Sequence, residues 1–397
     1  MRSRNQYLET LLKRYLGANK AQKGLLLDEY CNNTKQNRKY VVRKISRLAF
    51  SPPRVKKKRA AFYGPEVRRA LETIWKMFDL PCGQRLASIV RTELERLRRL
   101  KEVEVSEKTA RKLLWVSSAT IDRLLKPLKE EVKDRSRYSS RGANLIAKKI
   151  PLRMTDWDTS RVGYVEMDLV LHCGASTAGE FGHSLSAVEI SSGWWEGEVV
   201  MGRAQVRIFN ALKEIRERSP FAWLGIDSDN AFINAQLYQY SVDEELEFTH
   251  SRAYRKNDNA YIEQKNYTHV RKPLGYLRYD TPEELELIRE LYHHELRLFK
   301  NFLLPVMKLV RKVRIGGHVK RIYDTPETPC QRLLKSGQID GRTADELRRT
   351  YLSLNPAEIK RQMDKKLSRL FDIYENKKKR SVMVNPYKKL EPTMVTF

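Results

Sequence analysis

Residues 163–172 read GYVEMDLVLH. Apolar and polar side chains alternate along this run, as they do on a strand with one covered face. Asp168 sits inside it between Met167 and Leu169, a costly place for a carboxylate that has no partner. Working outward, LSAVEISS (185–192), FAWLGIDS (221–228) and EFTHS (247–251) are further short β-rich runs. MGRAQVRIFNALKEIRERS (201–219) has helical periodicity, with Val206, Phe209, Ala211, Leu212 and Ile215 on one side. NAFINAQLYQYSVDEE (230–245) and DNAYIEQKNYTHVRK (258–272) are also helical. The order β-β-β-α-β-α-β-α predicts an α/β domain, an open mixed five-stranded sheet covered by helices.

The flanks have a different texture. Tyr7, Leu8, Leu11, Leu12, Tyr15 and Leu16 recur at helical spacing, a second helix fits 21–31, and a Lys/Arg-rich helix follows the turn NNT. That is the pattern of a helix-turn-helix. Tyr40, Val41, Ile45 and Leu48 are expected to face its core, leaving Gln36, Asn37, Arg38, Lys39 and Arg43 on the exposed start of the last helix to meet DNA. SPPRVKKKRA (51–60) is a basic linker. VSEKTARKLLWVSSATIDRLLKPL (105–128) repeats the helix-turn-helix logic, with Ser106 and Ser118 as expected caps. The expected domains are 1–50 and 51–132 (both helical, DNA-binding), a basic linker 133–160, the α/β core 161–300, and a basic region 301–397. The last has a small β element, VRKVRIGGHVKRIYD, around Gly316-Gly317.

Net charge is +28 over 397 residues, and its distribution says more than the total. Residues 1–150 carry +23, residues 151–270 carry −7 and the remaining 127 carry +12. Basic flanks suit a polyanion, and an acidic centre suits metal cations that in turn hold phosphate. The four cysteines form no CxxC pair, so neither a disulfide framework nor a structural zinc site is expected. The residues beside the expected strands that most invite a metal reading, His172, Cys173 and His183, are expected to be polar packing, and Trp194-Trp195 core. No apolar run approaches membrane-span length, and the charged N-terminus lacks the apolar stretch of a signal peptide.

Three carboxylates stand out by position. Asp168 lies in the first β-run, Asp229 at a strand-to-helix junction, and Glu263 on a polar helix with Asn259 and Asn266 on its face; 33 residues lie between the last two acids. Singly, a strand-end Asp is more often a turn cap and a helical Glu more often faces solvent. Their order in matching elements is what distinguishes them. Asp227 rivals Asp229, and Asp258 is a weaker rival to Glu263. Three carboxylates suffice to hold two divalent ions for in-line attack on a phosphodiester, with Mg²⁺ or Mn²⁺ as the expected pair. GxxxxGKS, HExxH and GxSxG are absent. Lys265, Arg271 and Lys272, beside Glu263, are expected to follow DNA phosphates.

EMDLV (166–170), SDNAFIN (228–234), RKNDNAYIEQKN (255–266), HCGASTAGEF (172–181) and QKNYTHVR (264–271) together resemble the integrase core shared by retroviral integrases and the DDE transposases of bacterial insertion sequences. The resemblance covers about 161–275 strongly and the helical N-terminus loosely. It implies a ribonuclease H-like fold with Asp168, Asp229 and Glu263 as catalytic and metal-holding acids. It also implies DNA, both transposon ends and target, as the partner, a homo-oligomer on DNA, no membrane association, and a bacterial cytoplasmic, nucleoid-associated location. Ala231 replaces the family's Gly after Asp-Asn, and the His/Cys zinc domain of retroviral integrases is absent. The activity implied is metal-dependent cleavage at transposon ends and strand transfer. The alternatives are a DNA-binding regulator with a non-catalytic core, and a nuclease that cuts without joining.

Overall fold

The computed structural model describes residues 2–50, 62–135, 160–228, 235–250, 260–315 and 318–383. These fall into two compact units, Met1–Phe62 and Tyr63–Phe397.

The first unit holds α1 (Arg2–Gly17), α2 (Lys20–Thr34) and α3 (Arg38–Phe50). Asn19 caps α2, accepting from the Gln22 N–H while Gln22 returns the bond to the Asn19 N–H. Leu8, Leu11, Leu26, Leu27, Tyr30, Val41 and Ile45 form its core. Tyr40 does not join them: it is 53% exposed, because its neighbour Val41 takes the inward position. Asn37 starts α3 by accepting from the Lys39 N–H at 3.0 Å.

The second unit begins with α4 (Pro65–Met77), α5 (Gly83–Arg99), α6 (Glu107–Trp115) and α7 (Ser118–Arg135). Ser106 caps α6, accepting from the Thr109 N–H at 3.3 Å. The cap of α7 is Ser117, which accepts from the Thr120 N–H at 3.3 Å, one residue before the expected Ser118.

The sheet follows. Its strands are β1 (Tyr164–Leu171), β2 (Gly182–Glu189), β3 (Trp195–Met201), β4 (Gly225–Ser228) and β5 (Glu247–His250), with α8 (Gln205–Arg218) between β3 and β4 and α9 (Ala235–Asp243) between β4 and β5. Their spatial order is β3-β2-β1-β4-β5. β1 pairs antiparallel with β2 and parallel with β4, and β4 pairs parallel with β5. A meander joined to two parallel crossover strands is the ribonuclease H-like arrangement, as the family resemblance implied. On α8, Ala211, Leu212 and Ile215 pack against Val165 and Met167 of β1, whereas Val206 is exposed because it lies in the first turn. α10 (Ala260–Lys265) runs on through a π-helical stretch (Asn266–Arg271) to a last turn (Lys272–Leu274). Then come α11 (Pro282–His293), α12 (Glu295–Leu298) with a π-helical extension (Phe299–Leu303), the hairpin β6 (Leu309–Ile315) and β7 (His318–Tyr323), and helices α13 (Pro329–Ser336), α14 (Gly341–Ser353) and α15 (Pro356–Met383).

One apolar cluster spans α4–α7, the turn between β2 and β3, and α11–α15. Phe78 stacks on Phe299 with ring centroids 6.5 Å apart. The Tyr351 hydroxyl donates to Glu93 at 2.5 Å, and Lys272 meets Asp79 at 2.7 Å. Helices from opposite ends of the sequence thus share one core. Among the described residues, no helix is long and apolar enough to cross a membrane.

A chain lacking residues 1–62 should therefore keep the cooperative thermal unfolding of the second unit. A chain lacking residues 1–135 should not, because it strips the partners from Phe299 and Tyr351. Circular dichroism melts of the two truncations check this; equal, cooperative melts would contradict the shared core.

Candidate active site on the central strand

Along β1 the side chains alternate between two environments. Val165 and Met167 face α8, while Glu166, Asp168 and Val170 share the opposite face. α10 lies over that opposite face, and two contacts fix it there. The Ile262 N–H donates to Glu166 Oε2 at 2.9 Å, and Asn266 Nδ2 donates to Asp168 Oδ2 at 2.7 Å. The Leu169 N–H also donates to Asp168 Oδ1 at 2.7 Å.

Glu263 and Asn266 are three residues apart, so they occupy one face of the helix. Glu263 is exposed and Asp168 half-buried. Asp229 follows directly on Ser228, the last residue of β4, and lies outside the described residues, as do Asp258 and Asn259. Its rival Asp227 is buried opposite Glu166 in the β1–β4 register, and accepts from Thr249 Oγ1 at 2.7 Å.

The acid that sequence reading missed is Glu166. It is 1% exposed. Burial pushes its carboxyl up to about 8; the Ile262 N–H opposes the shift, and the nearby charges of Asp227 and Glu263 add to it. Glu166 Oε1 and Asn266 Oδ1 are buried and, among the described residues, have no hydrogen-bond partner. The available signal was the spacing: residues two apart on a strand share a face, so the run EMD places both acids together. The donors gathered here are all oxygens, the set that hard divalent cations prefer.

Among the described residues, Glu198, Glu214 and His293 are the group with ligand-like spacing. Glu198 is saturated by other partners: Arg218 Nη1 at 3.0 Å, Arg289 Nε at 3.2 Å and His293 Nε2 at 2.5 Å. Burial disfavours its charge, but His293 and Arg218 outweigh that and hold the carboxyl down at about 2. Two guanidiniums already neutralise this pocket, so it is an ion-pair network rather than a metal centre. It includes none of Asp168, Asp229 and Glu263.

The basic residues beside Glu263 diverge. Lys265 is buried, and its ammonium donates to the Gly193 carbonyl at 3.1 Å; it does not stand on the surface where a DNA phosphate would reach it. Burial, with Arg85, Lys300 and Lys308 nearby, lowers it to about 7. Arg271 lies over the Tyr276 ring at 4.8 Å, and Lys272 pairs with Asp79. In the first unit Lys39 and Arg43 are exposed, Arg38 pairs with Asp28, and Gln36 is half-buried. Trp194 and Trp195 are both core. His172 is buried against Ser184, Nε2 to Oγ 2.7 Å, and His183 is buried too, so both are packing residues. Every cysteine is free.

The strand order, with an acid-bearing β1 at the centre and a helix crossing its acidic face, defines a ribonuclease H-like α/β core. The chain belongs to the same family as the uncharacterized protein y4rM of Sinorhizobium fredii (strain NBRC 101917 / NGR234), with 36% identity over 335 residues, 84% of this chain and 95% of that protein. No protein-family model matches. Similar solved structures include the catalytic core domain of BIV integrase, 16% identical over 44% of this chain and 94% of that one, with a TM-score of 0.29. The HTLV-2 integrase catalytic core domain in complex with magnesium (dimeric form) is 12% identical over 36% and 89%, with a TM-score of 0.26.

Lys265 yields a prediction about pH. Its lowered folded value means that between about 7 and the usual Lys range the unfolded chain binds a proton the folded chain does not. Stability from this site therefore rises as pH rises through that window. Lys265→Met should melt above the parent protein at and below pH 7, and the difference should shrink toward pH 10. A gain that is constant with pH would contradict the assignment.

Proposed function

We propose that this protein is a DDE-type DNA transposase or integrase of the bacterial insertion-sequence kind. It cleaves transposon ends and transfers the freed strand into target DNA. The observation that carries this reading is the pair of contacts from Ile262 and Asn266 to β1, which lays the Glu263-bearing helix over the face that holds Glu166 and Asp168, close enough for the charges of Glu263 and Asp227 to act on Glu166.

Asp168, Asp229 and Glu263 would hold two Mg²⁺ or Mn²⁺ ions. When bound, such ions activate the attacking oxygen and stabilise the leaving one. The chain's own part is positioning. Asn266 donates to one oxygen of Asp168 and the Leu169 N–H to the other, which fixes the carboxylate's orientation. Glu166 accepts at the start of α10 and so sets where Glu263 stands. In cleavage, a water oxygen bonds to phosphorus, the P–O3′ bond breaks, and the departing 3′ oxygen takes a proton. In transfer, that 3′-hydroxyl attacks a target phosphodiester and releases a new 3′-hydroxyl. The basic flanks, +23 and +12 around a core of −7, supply the electrostatic hold on DNA that the acidic core lacks. Action on two ends calls for at least a dimer on DNA.

Asp168→Asn should abolish nicking of end-labelled transposon DNA in Mg²⁺ while leaving DNA binding intact; full cleavage by that variant would overturn the reading. Asn266→Ala should cost roughly 10- to 100-fold in cleavage rate, the scale for loss of a residue that orients a ligand, with little change in DNA affinity. Binding without nicking by the parent protein, across metals and DNA ends, would favour a regulator instead.

A further inference from the structure

The N-terminal helices and the C-terminal hairpin of the second unit meet at one cleft. It has a volume of about 460 Å³ and lies between α5, the start of α7 and strand β7; Gln84, Arg91, Ser118, Lys320, Arg321 and Tyr323 line it. Arg91, Lys320 and Arg321 are exposed. Among the described residues none of the three is in an ion pair or a side-chain hydrogen bond. The one acid on the wall, Asp324, is already held by Arg332 Nη1 at 2.7 Å and by the Lys308 N–H at 2.7 Å. Three cations therefore converge on a concave surface, none of them neutralised by a partner among the described residues. A cleft of single-sign charge focuses potential and draws a polyanion.

The walls are braced. Ser88 Oγ on α5 donates to the Pro326 carbonyl just beyond β7 at 2.9 Å, and Arg332 donates to the Val306 carbonyl before β6 at 3.1 Å. The hairpin carries five cations (Arg311, Lys312, Arg314, Lys320, Arg321) and no acid from residue 309 to 323. Its strands extend about 20 Å at roughly 3.3 Å per residue, the size of a two-stranded ribbon that enters a DNA major groove. Across the cleft from the ribbon, Ser118 at the start of α7 and Gln84 and Arg91 of α5 complete the wall.

We infer that α5, the start of α7 and the β6–β7 ribbon form one composite groove that grips the phosphate backbone of a single stretch of duplex DNA. Segments more than 200 residues apart in the chain then act as one binding surface, rather than as separate end-recognising and target-holding parts. This rests on the reading of the protein as one that acts on DNA, but not on its catalysis.

The test uses the full chain and a fluorescein-labelled 16-base-pair duplex of arbitrary sequence, without divalent metal, with anisotropy read across a salt series. Each phosphate contact contributes about 0.9 to the log–log slope. Arg91→Gln should make the slope shallower by about 0.9, and the Lys320→Gln/Arg321→Gln pair by about 1.8. Lys365→Gln, an exposed cation on α15 outside the cleft, should leave it unchanged. All these positions are exposed, so melts should match the parent's, and any contribution from the first unit cancels between variants. If the hairpin pair shifts the slope and Arg91→Gln does not, the ribbon binds alone and the composite groove is wrong. Unchanged slopes throughout also overturn it. Asp168→Asn keeps the parent slope in the same assay. Full end cleavage by Asp168→Asn with the slope shifts intact would thus sink the catalytic reading and leave the groove standing, and cleavage lost in Asp168→Asn with slopes unmoved by the cleft variants would do the opposite.

Discussion

A carboxylate sealed from water must find donors inside the protein, and Glu166 finds its donor at the start of α10. That single requirement ties a helix 96 residues further along the chain to the central strand. With α10 fixed at the Ile262 N–H, Asn266 falls within reach of Asp168 one turn later, and Glu263 stands between the two contacts on the helix. The helix then continues in a π-helical stretch, a wider turn often found where a helix serves a site. Loss of the Glu166 contact would leave a buried, unpaired acid and free α10 to drift, so the arrangement of the other acids depends on it.

The surrounding structure holds this crossing still. Trp195, on the next strand but one, packs edge-on against His269 of the π-helical stretch and against Tyr292 of α11. Lys265 and Lys300 are buried on the same side, with burial lowering both, Lys300 to about 8. Folding buried cations next to one another is costly. The shared apolar core of α4–α7 and α11–α15 offsets that cost, since it gathers Leu71, Ile74, Phe78, Leu291, Phe299 and Phe302 in one cluster. An acidic sheet and basic helices from both ends of the chain are thereby built into one unit.

Much of this was legible in the sequence. The β-rich runs and the helical periods between them gave the order of strands and helices along the chain, because alternation and 3.6-residue spacing report directly on which face is covered. The hairpin around Gly316-Gly317 and the free cysteines were also readable. Exposure was harder. Tyr40 and Val206 sit at apolar positions of their helices and still face solvent, since period alone does not say how far round a helix its neighbours reach. Lys265 looked like a surface cation because its neighbours in sequence are polar; its burial depends on Gly193, 72 residues away, which no local pattern encodes. Glu166 was overlooked for a similar reason. A glutamate at the front of a strand reads as a solvated edge until the helix that covers it is placed. The extent of the core shared by α4–α7 and the C-terminal helices is likewise a property of long-range packing.

The central claim is that these acids serve phosphoryl transfer through metal ions. The most direct measurement replaces a non-bridging oxygen of the scissile phosphate with sulfur and compares cleavage in Mg²⁺ and Mn²⁺. Hard Mg²⁺ binds sulfur poorly, whereas Mn²⁺ tolerates softer ligands. The account predicts that one phosphorothioate diastereomer is cut far more slowly than the oxygen substrate in Mg²⁺ and that Mn²⁺ restores most of the rate. Equal rates for sulfur and oxygen substrates in both metals, or cleavage that persists in excess chelator, would contradict it.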